Sequence, residues 1–178
     1  MKMATSFSMK ANLSSLISRR DEFIKNPGTD PDYDGILDAL GRDDDGNSET
    51  TEELNAKWFD HVASLLQEKS ATGHIKVYRR ISVENIDDFL ASIQNTSLGS
   101  SWSWDEDSAS CEYHPEANHD HEILLTALAP LDSILWDDTM VQHFGHPHER
   151  EIVVEGKVVN LTVEYDDNII HQVPTAEA

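Results

Sequence analysis

The chain has 178 residues, with 13 Lys and Arg against 34 Asp and Glu, a formal net charge of −21. Affinity for a nucleic-acid backbone or an anionic membrane surface comes from Lys and Arg set against phosphates, so this balance argues against both. A macromolecular partner should itself be basic. A hydrophobic share of 38% is low for a globular chain but above what disorder throughout would require, and it supplies the core of one domain of ordinary size.

The charge is uneven: Ile81 to Glu149 carries 14 acids and no Lys or Arg. Cys111 is the single cysteine, which excludes an intramolecular disulfide and a cysteine-built zinc cage. No apolar run approaches the ~20 residues of a membrane span. The stretch after Lys2 and Lys10 is too polar and short for a secretion signal. The expected setting is a reducing cytoplasm, reached from within or, for a protein delivered by a dedicated machine, from another cell.

In chain order, Ser8 to Asn26 places Met9, Leu13, Leu16, Ile17, Phe23 and Ile24 on one face of an amphipathic helix, stopped by Asn26-Pro27-Gly28. Thr29 to Thr51 reads as acidic and loop-rich. Within it, Asp30-x-Asp32-x-Asp34-Gly35 follows the ligand spacing of an EF-hand loop. The twelfth position is Gly41, not the bidentate Glu that completes such a site, so a solvated loop is expected there. Asp43 to Ser48 is a turn by composition. A second helix is expected from Glu52 to Lys69, with Leu54, Trp58, Val62, Leu65 and Leu66 at helical spacing. Thr50 or Thr51 can cap it, with Glu53 as reciprocal partner.

After Gly73 the pattern changes. His74 to Ser82 alternates as a strand, with Ile75, Val77 and Arg79 on one side and Lys76, Tyr78 and Arg80 on the other. Val83 to Ile93 reads as a helix, and a small-residue loop, Asn95 to Ser101, leads into Trp102-Ser103-Trp104. Glu122 to Ala129 is a buried strand ended by Pro130, Ile134 to Trp136 a short extended piece, and Phe144 to His148 a turn. Glu149 to Glu155 and Lys157 to Tyr165 read as a hairpin about Gly156, with the chain frayed beyond Ile170. The sum is an α+β chain: a helical N-terminal region with an acidic loop (1–72), a mostly antiparallel β region with inserted helices (73–172), and a tail (173–178). Six of the nine histidines lie between His114 and His148, including His119-x-His121 and His143-x-x-His146-x-His148. These segments read as loops without helical i, i+4 placement, so no metal site is expected.

Three segments of the β region stand out in order: Tyr78-Arg79-Arg80 on the first strand, Gly99-Ser100-Ser101-Trp102-Ser103 after the helix, and Glu149-Arg150-Glu151 opening a late strand. Together they resemble the Arg–Ser–Glu class of ADP-ribosyltransferases. That family carries an Arg at the end of its first core strand, a Ser-x-Ser segment on the next, and Glu-x-Glu leading a later one. The likeness spans Gly73 to Tyr165, with Trp102 standing where the family's Ser-Thr-Ser has Thr. It implies an ADP-ribosyltransferase-like core of two packed sheets, and NAD⁺ as substrate without a metal.

The resemblance also implies roles. Arg79 would hold the phosphates or the nicotinamide-side ribose of NAD⁺, a task suited to a planar, permanently charged fork, with Tyr78, Ser101, Trp102 and Ser103 around the same cofactor. Ser103, or Ser101, would orient Glu151, the catalytic glutamate that stabilises the cation as nicotinamide leaves. Glu149 would orient or deprotonate the acceptor, with Phe144 as the aromatic on that side. The two-residue spacing predicts both carboxylates on one strand face, ~7 Å apart. The expected activity is transfer of ADP-ribose to a protein side chain on a basic target, arginine because Glu occupies the first position, as in bacterial effectors and phage-encoded modifiers. Two other functions stay open: an acidic, non-catalytic binding protein that imitates the phosphate array of DNA, and an NAD⁺ glycohydrolase on the same fold.

Overall fold

Helix caps and apolar spacing set out the first third of the chain in the computed structural model, which describes residues 12–42, 49–93, 98–109 and 121–173. Helix α1 (Leu13–Ser18) begins at Asn12, whose side chain accepts from the Ser15 N–H at 2.8 Å. The single helix expected over Ser8 to Asn26 is in fact two, because Arg19 (φ −98°, ψ 17°) interrupts the ladder before α2 (Arg20–Lys25). The break serves packing: Leu16, Phe23 and Ile24 are all buried, and Arg19 itself turns out to pair with Glu22 and with Asp137.

The acidic loop expected after Pro27 contains helix α3 (Tyr33–Ala39), with Ile36 and Leu37 buried. Asp32 caps it by accepting from the Gly35 N–H at 3.0 Å. The aspartates spaced like a calcium loop are thus a helix cap and a helix surface. Gly35 is a glycine for a different reason: a Cβ there would collide with the Asp32 carboxylate and the Pro147 ring. Helix α4 (Thr51–Lys69) matches its expectation closely. Glu53 N–H donates to Thr50 Oγ1 at 3.2 Å and Thr50 N–H to the Glu53 carboxylate at 2.9 Å, a complete capping box, and Leu54, Trp58, Phe59, Val62 and Leu66 form its buried face. The start of the first expected helix at Ser8, the turn at Asp43 to Ser48, part of the Asn95 to Ser101 loop, Cys111, His114, His119 and the tail beyond Val173 lie outside the described residues.

The strands are β1 (His74–Val83), β2 (Ser101–Ser103), β3 (His121–Pro130), β4 (Glu151–Val153), β5 (Val159–Tyr165) and β6 (Asn168–Val173). Helix α5 (Ile86–Ser92), capped by Asn85, lies between β1 and β2, and α6 (Trp136–Gly145) follows β3 after a single 3₁₀ turn. All six strands join antiparallel in one sheet, in the order β4-β2-β1-β3-β5-β6. The α+β class holds, and among the described residues the hydrogen bonding links one sheet rather than two. Ile75, Val77, Leu125, Ala127, Trp102 and Ile152 form one core with Trp58, Phe59 and Leu66 of α4 and Trp136, Met140 and Phe144 of α6. Full burial of each such side chain is worth roughly 1.5–3 kcal/mol.

Four expectations after residue 130 change. Ile134 is extended and bridges to Val154, but Trp136 opens a helix that runs through the supposed turn at Phe144. Gly156 has the left-handed φ of 97° that a turn needs, yet β4 and β5 do not pair: β4 lies at one edge against β2, while β5 lies between β3 and β6. The hairpin is instead β5–β6, turned by Asp166 (φ 51°) and Asp167 (φ 61°), the two left-handed residues of a type I′ connection. Of the segment expected to fray beyond Ile170, His171 to Val173 thus belong to the edge strand β6. No helix among the described residues is long and apolar enough to cross a membrane.

Thr50→Ala should lower stability by about 1 kcal/mol through loss of the capping box, with Thr50→Ser close to wild type. Denaturant midpoints of the two variants would show this as separate curves.

Candidate functional site

The three motifs fall on three neighbouring strands. In the register, Glu151 lies opposite Ser103, Ser103 opposite Tyr78, and Tyr78 opposite Thr126. Directly opposed residues share a sheet face, so Glu151, Ser103 and Tyr78 form a polar row on the face away from α4. Arg79, one position on, starts from the other face, opposite Leu125. Strands β1 and β2 meet only at the Tyr78–Ser103 pair. Beside it the Arg79 side chain takes over from the ladder, its Nη1 donating to Leu98 O at 2.6 Å and Ser101 O at 3.2 Å. Gly99 lies against this guanidinium, with φ 81° and no room for a Cβ.

Glu151 is 9% exposed. Burial pushes its carboxyl above the usual range and the Glu149 charge adds to that, while a Ser101 hydroxyl hydrogen bond and the charges of His146 and Arg79 act against it. So Ser101 is the serine that touches the carboxylate. Ser103 does something else. It is 5% exposed, its hydroxyl donates to Glu149 O at 3.0 Å and lies 3.3 Å from Arg150 O, and it accepts from Asp105 N–H at 3.2 Å. It clamps the backbone that enters Glu151, where Arg150 holds a left-handed φ of 49°. That turn also moves Glu149 off the strand: β4 begins at Glu151, so the two carboxylates do not share a strand face as their spacing predicted. Arg80 faces Glu122 at 3.6 Å and Glu106 at 3.9 Å instead.

Two expected residues are not available to a ligand. Phe144 is fully buried in α6, so it is core and not an acceptor-side aromatic. Trp102 is 3% exposed and part of the core, with its indole donating to Gly99 O at 3.3 Å; the strand alternation that aims its serine neighbours at Glu151 aims Trp102 the other way. Tyr78 is half-buried with Lys76 over its ring at 5.5 Å.

Residues that the sequence did not single out surround the site. Arg150 pairs with Asp105 at 3.0 Å and stacks over Trp104 at 5.0 Å, with Lys69 over the same ring at 4.4 Å. The Asp105 carboxyl lies below its ordinary range: burial would raise it, and bonds from Ser108 together with the Arg150 charge outweigh that. A crevice of about 50 Å³ opens beside this turn, lined by Trp58, His61, Trp104, His148 and Arg150 among others. His148 there faces Asp38 at 3.4 Å. Among the described residues no group of three or more His, Cys, Asp or Glu is placed to hold a metal ion.

His143, read as a loop histidine, is on α6 and 2% exposed. Its Nε2 lies 3.1 Å from Glu151 O, and a carbonyl only accepts, so Nε2 carries the proton of a neutral ring. Burial pulls its pKa down to about 4, the Glu151 carbonyl bond pulls it up, and the charges of His61 and Arg150 lower it further. Its unfolded value is near 6.5, so between these limits the unfolded chain binds the extra proton and stability rises with pH. The contribution is complete above about pH 6.5 and lost as pH falls toward 4, on the order of 3 kcal/mol in all. The raised Glu151 carboxyl acts in the opposite sense. Unfolding free energy measured from pH 7 to 4 should fall in wild type and fall less in His143→Gln.

The site that results is a partly buried carboxylate on an edge strand, held by a serine hydroxyl, with a guanidinium charge within electrostatic reach. No protein-family model, curated protein or solved structure matches the chain.

Proposed function

We propose that the protein transfers ADP-ribose from NAD⁺ to an arginine side chain of a basic target protein, with the described sheet serving as an ADP-ribosyltransferase-like core. The observation that carries this is Glu151: a glutamate 9% exposed, its carboxylate partly buried and bonded by Ser101, on the strand next to the serine strand, which is in turn next to the arginine strand. A carboxylate so placed has little to do for stability, since burying it costs free energy. It is suited to facing a cation.

In the reaction the C–N bond between nicotinamide and ribose breaks, and its electron pair leaves with nicotinamide. Glu151 stabilises the positive charge that grows on the ribose. Arg79, set by Leu98 O and Ser101 O, supplies the fork for the phosphates. The guanidinium of the acceptor then attacks the ribose carbon and loses a proton, which Glu149 accepts from its turn position. The net charge of −21 favours encounter with a basic protein.

A second function, an acidic protein that binds without catalysis, has one observation of its own. The ties from Arg79 to two backbone carbonyls are also what a purely structural arginine would make. Nicotinamide release from NAD⁺ by the purified protein, with and without basic proteins as acceptors, separates the two. Glu151→Gln should slow that release by ~10²–10³ with the fold intact; wild-type activity in this variant would remove the transferase assignment. Glu149→Gln should abolish labelling of target proteins yet keep much of the slow hydrolysis of NAD⁺, measured on one preparation. Gly99→Ala, strained at φ 81° and pressing on the Arg79 guanidinium, should weaken NAD⁺ binding in a calorimetric titration while leaving secondary structure unchanged.

A further inference from the structure

Strand β4 is three residues long and stands at the edge of the sheet. Its inner side is satisfied by β2, and the ladder continues at both ends, with Trp104 N–H on Arg150 O at 3.0 Å and Val154 N–H on Ser100 O at 2.8 Å. The outer backbone groups of Glu151 and Val153 face away from β2, where a seventh strand would be. No strand is there. Leu135 N–H donates to Val153 O at 2.9 Å and Glu155 N–H to Ser133 O at 2.7 Å, after which the chain coils into α6. Two side chains of that helix then continue the same edge: Val153 N–H donates to Thr139 Oγ1 at 3.0 Å, and His143 Nε2–H to Glu151 O at 3.1 Å.

The fit has a simple metric. Four residues of α-helix rise about 6 Å, and two residues of strand about 6.6–6.8 Å. A helix running antiparallel to a strand can therefore bond alternate strand residues with side chains at i and i+4. Thr139 and His143 have that spacing, and they are 0% and 2% exposed. Helix α6 is in turn fixed where it matters, since the Trp58 indole donates to His143 O at 3.0 Å.

We propose that Thr139 and His143 are positioning residues for Glu151: they close the free edge of β4 and thereby set where the catalytic carboxylate stands. The inference rests on the transferase function above. Neither side chain touches the Glu151 carboxylate; both act through its backbone and that of Val153. Without these two side-chain bonds the outer side of β4 would keep only the Ile134–Val154 bridge beyond its middle, leaving its Glu151 end to β2 and Ser103 and free to rotate the carboxylate by the fraction of an ångström on which orientation depends.

The test uses Thr139→Val, which keeps the shape and removes the acceptor, and Thr139→Ser, which restores it. With full-length protein and NAD⁺, Thr139→Val should lower kcat for nicotinamide release by about tenfold or more with KM changed by less than about twofold, and Thr139→Ser should recover kcat. Exchange of the Val153 amide should quicken in Val and not in Ser. Wild-type kcat in Thr139→Val, or equal loss in Val and Ser, overturns the proposal. If the wild-type protein releases no nicotinamide, the transferase function fails on its own account. Positioning is then decided by the Glu151 carboxyl titration followed by NMR: a midpoint moved in Thr139→Val and restored in Thr139→Ser supports it, and an unchanged midpoint overturns it.

Discussion

Everything in this fold is hung on the ladder between β1 and β3, in register from His74–Pro130 to Val83–His121 without a bulge. One face of that ladder is apolar, with Ile75, Val77, Leu125, Ala127 and Ala129 all essentially buried, and it recruits α4 and α6. The other face carries Lys76, Tyr78, Arg80 and Thr126, and continues outward as the polar row that ends at Glu151. A strongly acidic chain meets a hard constraint here. It must bury enough carbon to offset the ordering of its backbone while 34 acids stay in water or find partners. Among the described residues Glu151, at the end of that row, is the acid placed close to the interior.

Much of this was legible locally. Thr50 and Glu53 announced a capping box, and the apolar spacing from Leu54 to Leu66 announced its helix. The alternation of Ile75 and Val77 with Lys76 and Tyr78 gave both strand and inward face. The order of Arg79, the Ser101–Ser103 pair and Glu151 along the chain was visible, and the choice between the two serines needed coordinates: Ser101 bonds the carboxylate and Ser103 bonds the backbone. Residues two apart on one strand are equivalent in sequence, and only the direction of the neighbouring turn distinguishes them.

What was misread had physical causes. Turn chemistry at Gly156 is local, and it reports a change of direction without reporting which strand is met afterwards. Helix α3 hid behind Asp and Gly, residues that favour turns because they compete for backbone hydrogen bonds. In α3 that same competition supplies the cap. Helix α6 hid behind its histidines and its Gly145, although Trp136, Met140 and Phe144 recur every fourth residue and Thr139 and His143 flank them. A polar residue on a buried helical stripe signals a partner inside the protein, and two at i, i+4 signal an extended one.

The β5–β6 hairpin leaves β6 as the outermost strand, with Ile169 59% exposed and no Lys or Pro within Asn168–Val173 to blunt its open side. Colloidal behaviour follows from that. Mutual repulsion between copies, each bearing a charge of −21, keeps such edges apart over a range set by the Debye length, ~30 Å at 0.01 M salt but ~3 Å at 1 M. Repulsion between such edges is thus strongest in dilute buffer and weakest in concentrated salt or near the isoelectric point.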